Sequence, residues 1–369
     1  MLAFYVSIVT ADDAFPLGPK DKRPTVVAQE QEAKVQLDLG IQLLKDKQYY
    51  AAAETFARAI QLRPEYPEAF VQWGVTLERM SHQTVSASDQ YKLLKAAADK
   101  FDRAARLKPD DKTIFIQWAD TLVIIGDLPL GRDIRYSCLL GAAEKYRMAS
   151  DLTPDDWQGY MRWGIVLFTR LPNFAPDAPA REATLKRAAE VFSKAADHAV
   201  ETREIVDTHL LWGNALTQAG QAAWDAGDKL VLFREAVDKY ERAARADPKQ
   251  ASIYAMWGGA LIELGKVSHV RGDFRDAIDK LNIVLEYKSD DIAAFYNMAC
   301  AYSQMEDYDR ALECLRKCFL LDAKNSYRKL ARADSDLTRL RGDRRFEDLI
   351  KGRTTGVNVA PPPVRDSSK

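Results

Sequence analysis

Five tryptophans, Trp73, Trp118, Trp163, Trp212 and Trp257, follow one another at intervals of 45, 45, 49 and 45 residues. Gly74, Gly164, Gly213 and Gly258 stand directly after four of them, and Ala119 after the other. A proline series keeps step at Pro64, Pro109, Pro154 and Pro248. A period of this length means that one supersecondary unit is copied along the chain, each copy burying its apolar face against its neighbours. The chain is therefore an array, and a compact enzyme core built once from 369 residues is excluded as its organising principle.

Composition narrows the class further. Hydrophobic residues make up 47% and charged residues 29% of the chain, in long Ala-, Lys-, Glu- and Arg-rich runs that favour helix. Basic and acidic residues number 53 and 54, a net charge of −1, so no global field steers the protein to nucleic acid or to an anionic membrane. Cys138, Cys300, Cys314 and Cys318 are too few and too clustered for a disulfide framework, and reduced thiols in an intracellular, mainly cytoplasmic setting are expected. No apolar run reaches the 18 residues that suggest a membrane-spanning helix. The short apolar run of residues 1–10 lacks a basic start and meets Asp12 and Asp13 at once. It reads as an arm, with an atypical targeting segment as the alternative.

Residues 1–31 read as an arm and linker, and the helical pattern starts near Glu32. In the first unit the small residues Gly40, Ala52 and Ala59 alternate with Leu39, Leu43, Tyr49 and Phe56, and Pro64 closes the unit. Small residues let two antiparallel helices approach, large ones fill the seam, and proline stops the second helix. Phe295, Met298, Ala299, Tyr302, Tyr308, Ala311, Leu315 and Cys318 repeat this order near the other end. The spacing resembles the tetratricopeptide repeat, a helix-turn-helix of 34 residues, and Leu39 and Trp73 stand one such period apart. The resemblance runs from about residue 32 to 325. It implies an all-α, right-handed superhelical solenoid of about seven helical hairpins.

The middle units carry about 11 extra residues between the two small positions, at 79–91, 126–137, 171–184 and 220–232. Each insert is expected to be a longer turn followed by an N-terminal extension of the second helix. The tryptophans, placed where the family has leucine, are expected to fill the enlarged seam. Residues 326–350 read as a capping helix and a last amphipathic segment, as a solenoid end requires. Residues 351–369 read as a disordered tail.

No chemistry is assigned. The pairs Asp110-Asp111, Asp155-Asp156 and Asp290-Asp291 precede helix starts, where a carboxylate accepts from orphan backbone N–H groups. Cys318 falls on the small seam position of Ala59 and Ala104, and no histidine lies near it for a metal site. His209 replaces Phe70, Phe115 and Tyr160 in the seam. The arginines between residues 328 and 345 alternate with acids and lack stacking aromatics, which speaks against nucleic acid. No catalytic residue, cofactor or metal is expected.

What remains is the inner face of the first helices, the positions three before and one after each small residue. They are Leu37 and Ile41, Val71 and Val75, Ile116 and Asp120, Met161 and Ile165, Leu210 and Asn214, Ala255 and Gly259, and Tyr296 and Cys300. Most are apolar, as at partner sites. Family members that clamp a chaperone's terminal carboxylate use Lys, Asn and Arg there, where this chain has Leu37, Ile41, Gln72, Thr113 and Gln117. A hydrophobic helix or an extended peptide is the expected partner. The chain thus reads as a non-enzymatic scaffold for protein assembly. The alternative is a targeting or transport adaptor of an organelle or bacterial envelope, tethered by its N-terminal run.

Overall fold

The computed structural model describes residues 26–353; the apolar run of residues 1–10 and most of the expected tail lie outside them. Seven helical hairpins follow one another: α1 (Val26–Lys45) with α2 (Tyr49–Leu62), α3 (Pro67–Ser81) with α4 (Ala87–Leu107), α5 (Lys112–Asp127) with α6 (Arg132–Leu152), α7 (Trp157–Thr169) with α8 (Ala178–Ala196), α9 (Thr202–Ala222) with α10 (Ala226–Ala246), α11 (Ala251–Ser268) with α12 (Arg271–Tyr287), and α13 (Ile292–Gln304) with α14 (Tyr308–Leu321). Helix α1 starts ahead of Glu32. After α14 come α15 (Ser326–Ala333), a 3-10 turn at Ser335–Leu340, and α16 (Arg344–Ile350). The described residues contain no strand. Two compact units meet at Glu204 and Ile205, the first holding hairpins 1–4 and the second hairpins 5–7 with the C-terminal segment. Each is a stack of hairpins, the solenoid arrangement.

Local chemistry sets the helix ends. Asp111, Asp156 and Asp291 accept from the backbone N–H groups of Thr113, Gln158 and Ala294 at 3.0, 3.1 and 2.9 Å, so the second carboxylate of each pair is an N-cap. Burial works against the charged form of all three carboxyls, yet hydrogen bonds and neighbouring lysines hold each below the usual carboxylate range. Ser86, Asp177 and Asp225 cap α4, α8 and α10 in the same way. Extended cap residues Arg63, Lys108 and Asp247 follow α2, α4 and α10, each standing directly before a proline, which disfavours helical backbone in the residue ahead of it.

Within a hairpin the two helices touch at glycine. A Cβ on Gly40, Gly74, Gly164, Gly213 or Gly258 would stand 2.5–2.9 Å from Phe56, Phe101, Phe192, Tyr240 or Leu281 of the second helix. Those five side chains are buried to within 1%, and truncating one of the phenylalanines to Ala would cost about 3–5 kcal/mol. The large residue of the second helix fills the centre of the seam, and the tryptophans pack beside it, Trp73 and Trp163 as buried core residues.

The tryptophans sit beside it. Trp73 and Trp163 are buried while Trp118, Trp212 and Trp257 are half-buried, and each lies under a cation of its own second helix. Lys100, Lys145, Lys239 and Lys280 approach Trp73, Trp118, Trp212 and Trp257 to 4.1–4.2 Å, and Arg187 approaches Trp163 to 5.3 Å. Each lysine immediately precedes the seam residue, as in Lys100-Phe101. In hairpin 4 that place is Val191, and Arg187 one turn earlier supplies the charge. Such contacts contribute about 0.5–1 kcal/mol each at exposed sites.

The inserts differ from expectation. Connecting turns stay short in hairpins 2, 3 and 5, at residues 82–86, 128–131 and 223–225, and both helices lengthen. In hairpins 3, 5 and 6 the longer arms make a second close contact seven residues beyond the first: Gly126, Gly220 and Gly265 meet Leu139, Phe233 and Phe274 at 2.6–2.8 Å, while in hairpin 2 the same place holds the buried Ser81. In the short hairpins 1 and 7 that position is Lys47 or Glu306, in left-handed backbone where the chain turns. Hairpin 6 is also lengthened, with 19 residues from Gly258 to Ala277 against 23 from Gly74 to Ala97 and 12 from Gly40 to Ala52. Hairpin 4 alone interrupts its first helix, with a 3-10 turn at Leu171–Phe174.

Candidate functional site

In the second unit the first helices α11 and α13 pack side by side, and with α9 they line a cavity of about 350 Å³. Helix α9 supplies Asn214, Gln218 and Gln221, α11 supplies Gly259 and Glu263, α13 supplies Tyr296, Asn297 and Cys300, and the C-terminal turn adds Asp334 and Asp336. Gly259 is bare: a Cβ there would meet nothing within 4 Å. A glycine inside a helix costs about 1 kcal/mol relative to alanine, and nothing in the fold uses this one for packing. The bare backbone leaves room for another chain to come close.

The walls are polar and acidic. Tyr240 Oη donates to Asn214 Oδ1 at 2.8 Å, which leaves the Asn214 amide N–H groups unpaired. Tyr296 Oη donates to Asp334 Oδ2 at 2.5 Å. Lys266 bridges Glu263 at 3.1 Å and Asp336 at 3.0 Å. Burial raises the Asp336 carboxyl above its ordinary value against the pull of Lys266. Three carboxylates and one ammonium leave this region net negative, suited to N–H donors and cations.

The inner-face residues expected from sequence are distributed differently along the chain. Asn214 and Tyr296 line this cavity together with Gly259 and Cys300. In the first unit Leu37 belongs to the buried core, and Ile41, Val71, Val75 and Ile116 pack against it. Met161 and Leu210 are buried and Ile165 is exposed. Asp120 accepts from Tyr146 Oη and pairs with Arg162 at 3.0 Å. Asp120 and Asn214 are thus the partners of tyrosines 26 residues downstream. Where the second helix carries Phe101 or Phe192 instead, the inner position is Val75 or Ile165. Gln218, Gln221, Asn297, Glu263, Asp334 and Asp336 were not singled out from sequence. Only their position on first helices could have signalled the first four: Gln218 and Glu263 stand one turn beyond Asn214 and Gly259, Gln221 two turns beyond Asn214, and Asn297 next to Tyr296.

Other sequence candidates are absorbed by the fold. Cys318 is fully buried, and burial pushes the Cys314 and Cys318 thiols up to about 12. His209 is buried in the seam, and its Nδ1 lies 2.8 Å from the Ile205 carbonyl. Arg339 and Arg345 pair with Glu306 and Asp309 at 2.8 and 2.7 Å, and Arg341 donates to the Asp334 carbonyl.

The tetratricopeptide-repeat family model matches residues 292–325, which are hairpin 7. Hairpin 7 is a tetratricopeptide repeat. A barley (Hordeum vulgare) protein described as a probable UDP-N-acetylglucosamine–peptide N-acetylglucosaminyltransferase SPINDLY is 33% identical over 106 residues, 29% of this chain and 11% of that protein. The chain therefore spans only about a ninth of that relative. Among solved structures, the tetratricopeptide-repeat protein YrrB, described as having an unusual peptide-binding site, is 20% identical, with TM-score 0.42 over 61% of this chain and 93% of that one. MamA of Desulfovibrio magneticus is 15% identical, with TM-score 0.39 over 56% and 97%. Pseudomonas aeruginosa pilF is 14% identical, with TM-score 0.38 over 72% and 96%. No helix among the described residues is long and apolar enough to cross a membrane.

Proposed function

We propose that this array is a non-enzymatic scaffold that holds an extended partner peptide on the inner face of its second unit and so helps to assemble a protein complex. The observation that carries the reading is Gly259, a helix-interior glycine with open space above it, between the amides of Asn214, Gln218 and Asn297. An extended peptide presents backbone N–H and C=O groups that side-chain amides can pair, and the bare glycine lets its main chain come close. Glu263 and Asp334 at the edge favour a basic side chain. The polar walls favour an extended peptide over a hydrophobic helix.

The test is affinity capture from native extract with quantitative mass spectrometry, comparing the wild type with Gln218→Ala/Asn297→Ala and with Ile165→Glu. Partners should fall away with the first variant and persist with the second. Retention of every partner by a folded Gln218→Ala/Asn297→Ala protein rejects this site. A second reading, the membrane-peripheral adaptor, is favoured by Trp224, 94% exposed at the tip of hairpin 5, since indole suits a membrane interface. Equal vesicle partitioning of the full chain, of Trp224→Ser and of a chain starting at Glu32 would remove it.

A further inference from the structure

A second cavity, of about 400 Å³, lies in the first unit where the tips of hairpins 3 and 4 meet. Its walls carry Arg132, Arg135, Arg170, Asp127, Asn173 and Phe174. Three guanidiniums and one carboxylate leave it a net +2 in a chain whose total is −1. We infer that this cavity binds a phosphomonoester, a dianionic phosphate attached to an apolar or planar body.

Each arginine is held in place by part of its donor set and keeps the rest. Arg132 Nη2 donates to the Phe174 carbonyl at 2.9 Å and Arg135 Nε to the Gly126 carbonyl at 2.9 Å. Both acceptors belong to segment ends that lack an onward helical partner. The remaining N–H groups of Arg132 and Arg135, both terminal nitrogens of Arg135 included, have no acceptor among the described residues, whereas Arg170 Nη1 donates to Thr169 Oγ1 at 3.0 Å. Asp127 is engaged by Arg170 through Nε and Nη2 at 3.0 and 3.2 Å, so it neutralises one guanidinium and leaves the other two for a dianion. Guanidinium forks match phosphate oxygens in pairs, and orienting them in advance lowers the entropy lost on binding.

The rest of the cavity specifies the body. The Arg135 guanidinium lies over the Phe174 ring at 5.2 Å, and Leu130 and Leu139 complete an apolar wall. The space is larger than a bare oxyanion needs. At its edge α6 begins at Arg132 after Gly131, which offers no side-chain cap, and Asp133 in the first turn offsets the positive end of that helix, so the guanidiniums carry the attraction. The site lies on the inserts, away from the inner face, and stands independently of the peptide reading above.

Isothermal titration of the full chain at low salt tests the inference with phenyl phosphate, inorganic phosphate and benzoate as probes. Phenyl phosphate should bind at least about tenfold more tightly than benzoate, because two charges meet two free guanidiniums. It should also exceed inorganic phosphate, which lacks the ring, and weaken as salt rises. Arg135→Gln should cut phenyl phosphate affinity by about tenfold or more, and the exposed Arg132→Gln, which leaves α6 intact, should do so as well. A phosphotyrosyl peptide that outbinds phenyl phosphate assigns the group to a partner protein, and equal affinity assigns it to a free small molecule. Equal affinity for benzoate and phenyl phosphate, or binding that survives both substitutions in folded protein, overturns the assignment.

Discussion

Gly258 and Gly259 are adjacent in α11, and replacing each with alanine should move stability in opposite directions. In a helix interior the Gly→Ala change is worth about 1 kcal/mol through backbone entropy and solvation. At Gly259 nothing opposes this gain, since a Cβ would meet no atom within 4 Å. Gly259→Ala should therefore stabilise by about 1 kcal/mol. At Gly258 the new Cβ would stand 2.9 Å from Leu281 Cγ and 3.3 Å from the Ala277 carbonyl oxygen. Overpacking of this kind costs about 1–3 kcal/mol, so Gly258→Ala should lie between no change and a loss of about 2 kcal/mol once the helix gain is subtracted. An array can open repeat by repeat, so the assay is native-state hydrogen exchange read at the amides of α11 and α12, alongside a urea midpoint. Gly259→Ala should also weaken partner capture while it raises stability, because its Cβ occupies the floor of the proposed peptide site. Shifts of the same sign and size at both positions would refute the packing argument; a stabilised variant that retains full capture would refute the role given to the bare floor.

The tyrosine pairs give a second test. Tyr240→Phe leaves the Asn214 carbonyl without its donor and should cost about 1–3 kcal/mol, whereas Tyr240→Phe/Asn214→Ile copies the Phe192 and Ile165 pairing and should recover most of it in denaturant titration. Removing the cation over one indole by Lys280→Met should cost about 0.5–1 kcal/mol and shift Trp257 emission. Burial holds the His209 imidazole below its ordinary 6.5, against the hydrogen bond to the Ile205 carbonyl that favours the charged form. The unfolded chain therefore takes up a proton first as pH falls through about 6.5, and stability is lost from there downwards. His209→Phe should flatten that acid limb in melts recorded between pH 7 and 5. Cys314 and Cys318, whose thiols stay protonated up to about 12, should resist a thiolate-selective reagent at pH 8 in the native protein and react at once in denaturant.

Much of the architecture was legible because its signals are local. The Asp111, Asp156 and Asp291 caps, the prolines after the second helices and the small residues in register each act within a few positions of themselves. The number of hairpins follows from them. The inserts were half legible: Ser86 and Asp225 announce the start of the lengthened second helices of hairpins 2 and 5, but in hairpins 3 and 5 the first helix also continues, where Gly126 and Gly220 meet Leu139 and Phe233, a pairing across the hairpin that no local pattern states. The tryptophans were legible in part for a similar reason. Hydrophobic size pointed to core packing, which Trp73 and Trp163 show, while the cation over each ring, from the lysine in Lys100-Phe101 and Lys239-Tyr240, was the half of the contact that size does not state. Helix phase alone places Asn214 and Tyr296 on the inner face, and both line the cavity. Asp334 and Asp336 come from a segment beyond the last hairpin, and their approach to α11 and α13 is a tertiary fact.

The second glycine contact has a consequence for how such hairpins can change length. From Gly213 and Tyr240 to Gly220 and Phe233 each helix moves by seven residues, two turns, as in an antiparallel coiled coil. In hairpins 5 and 6 the added layer repeats the first one two turns further out, so the contact at the base, Gly213 with Tyr240 or Gly258 with Leu281, is kept while the arms lengthen. Growth by such steps extends the rim and leaves the stacking of the base untouched. A recognition site on the tips, such as the arginine-lined cavity, can then be built and altered without disturbing the one on the inner face.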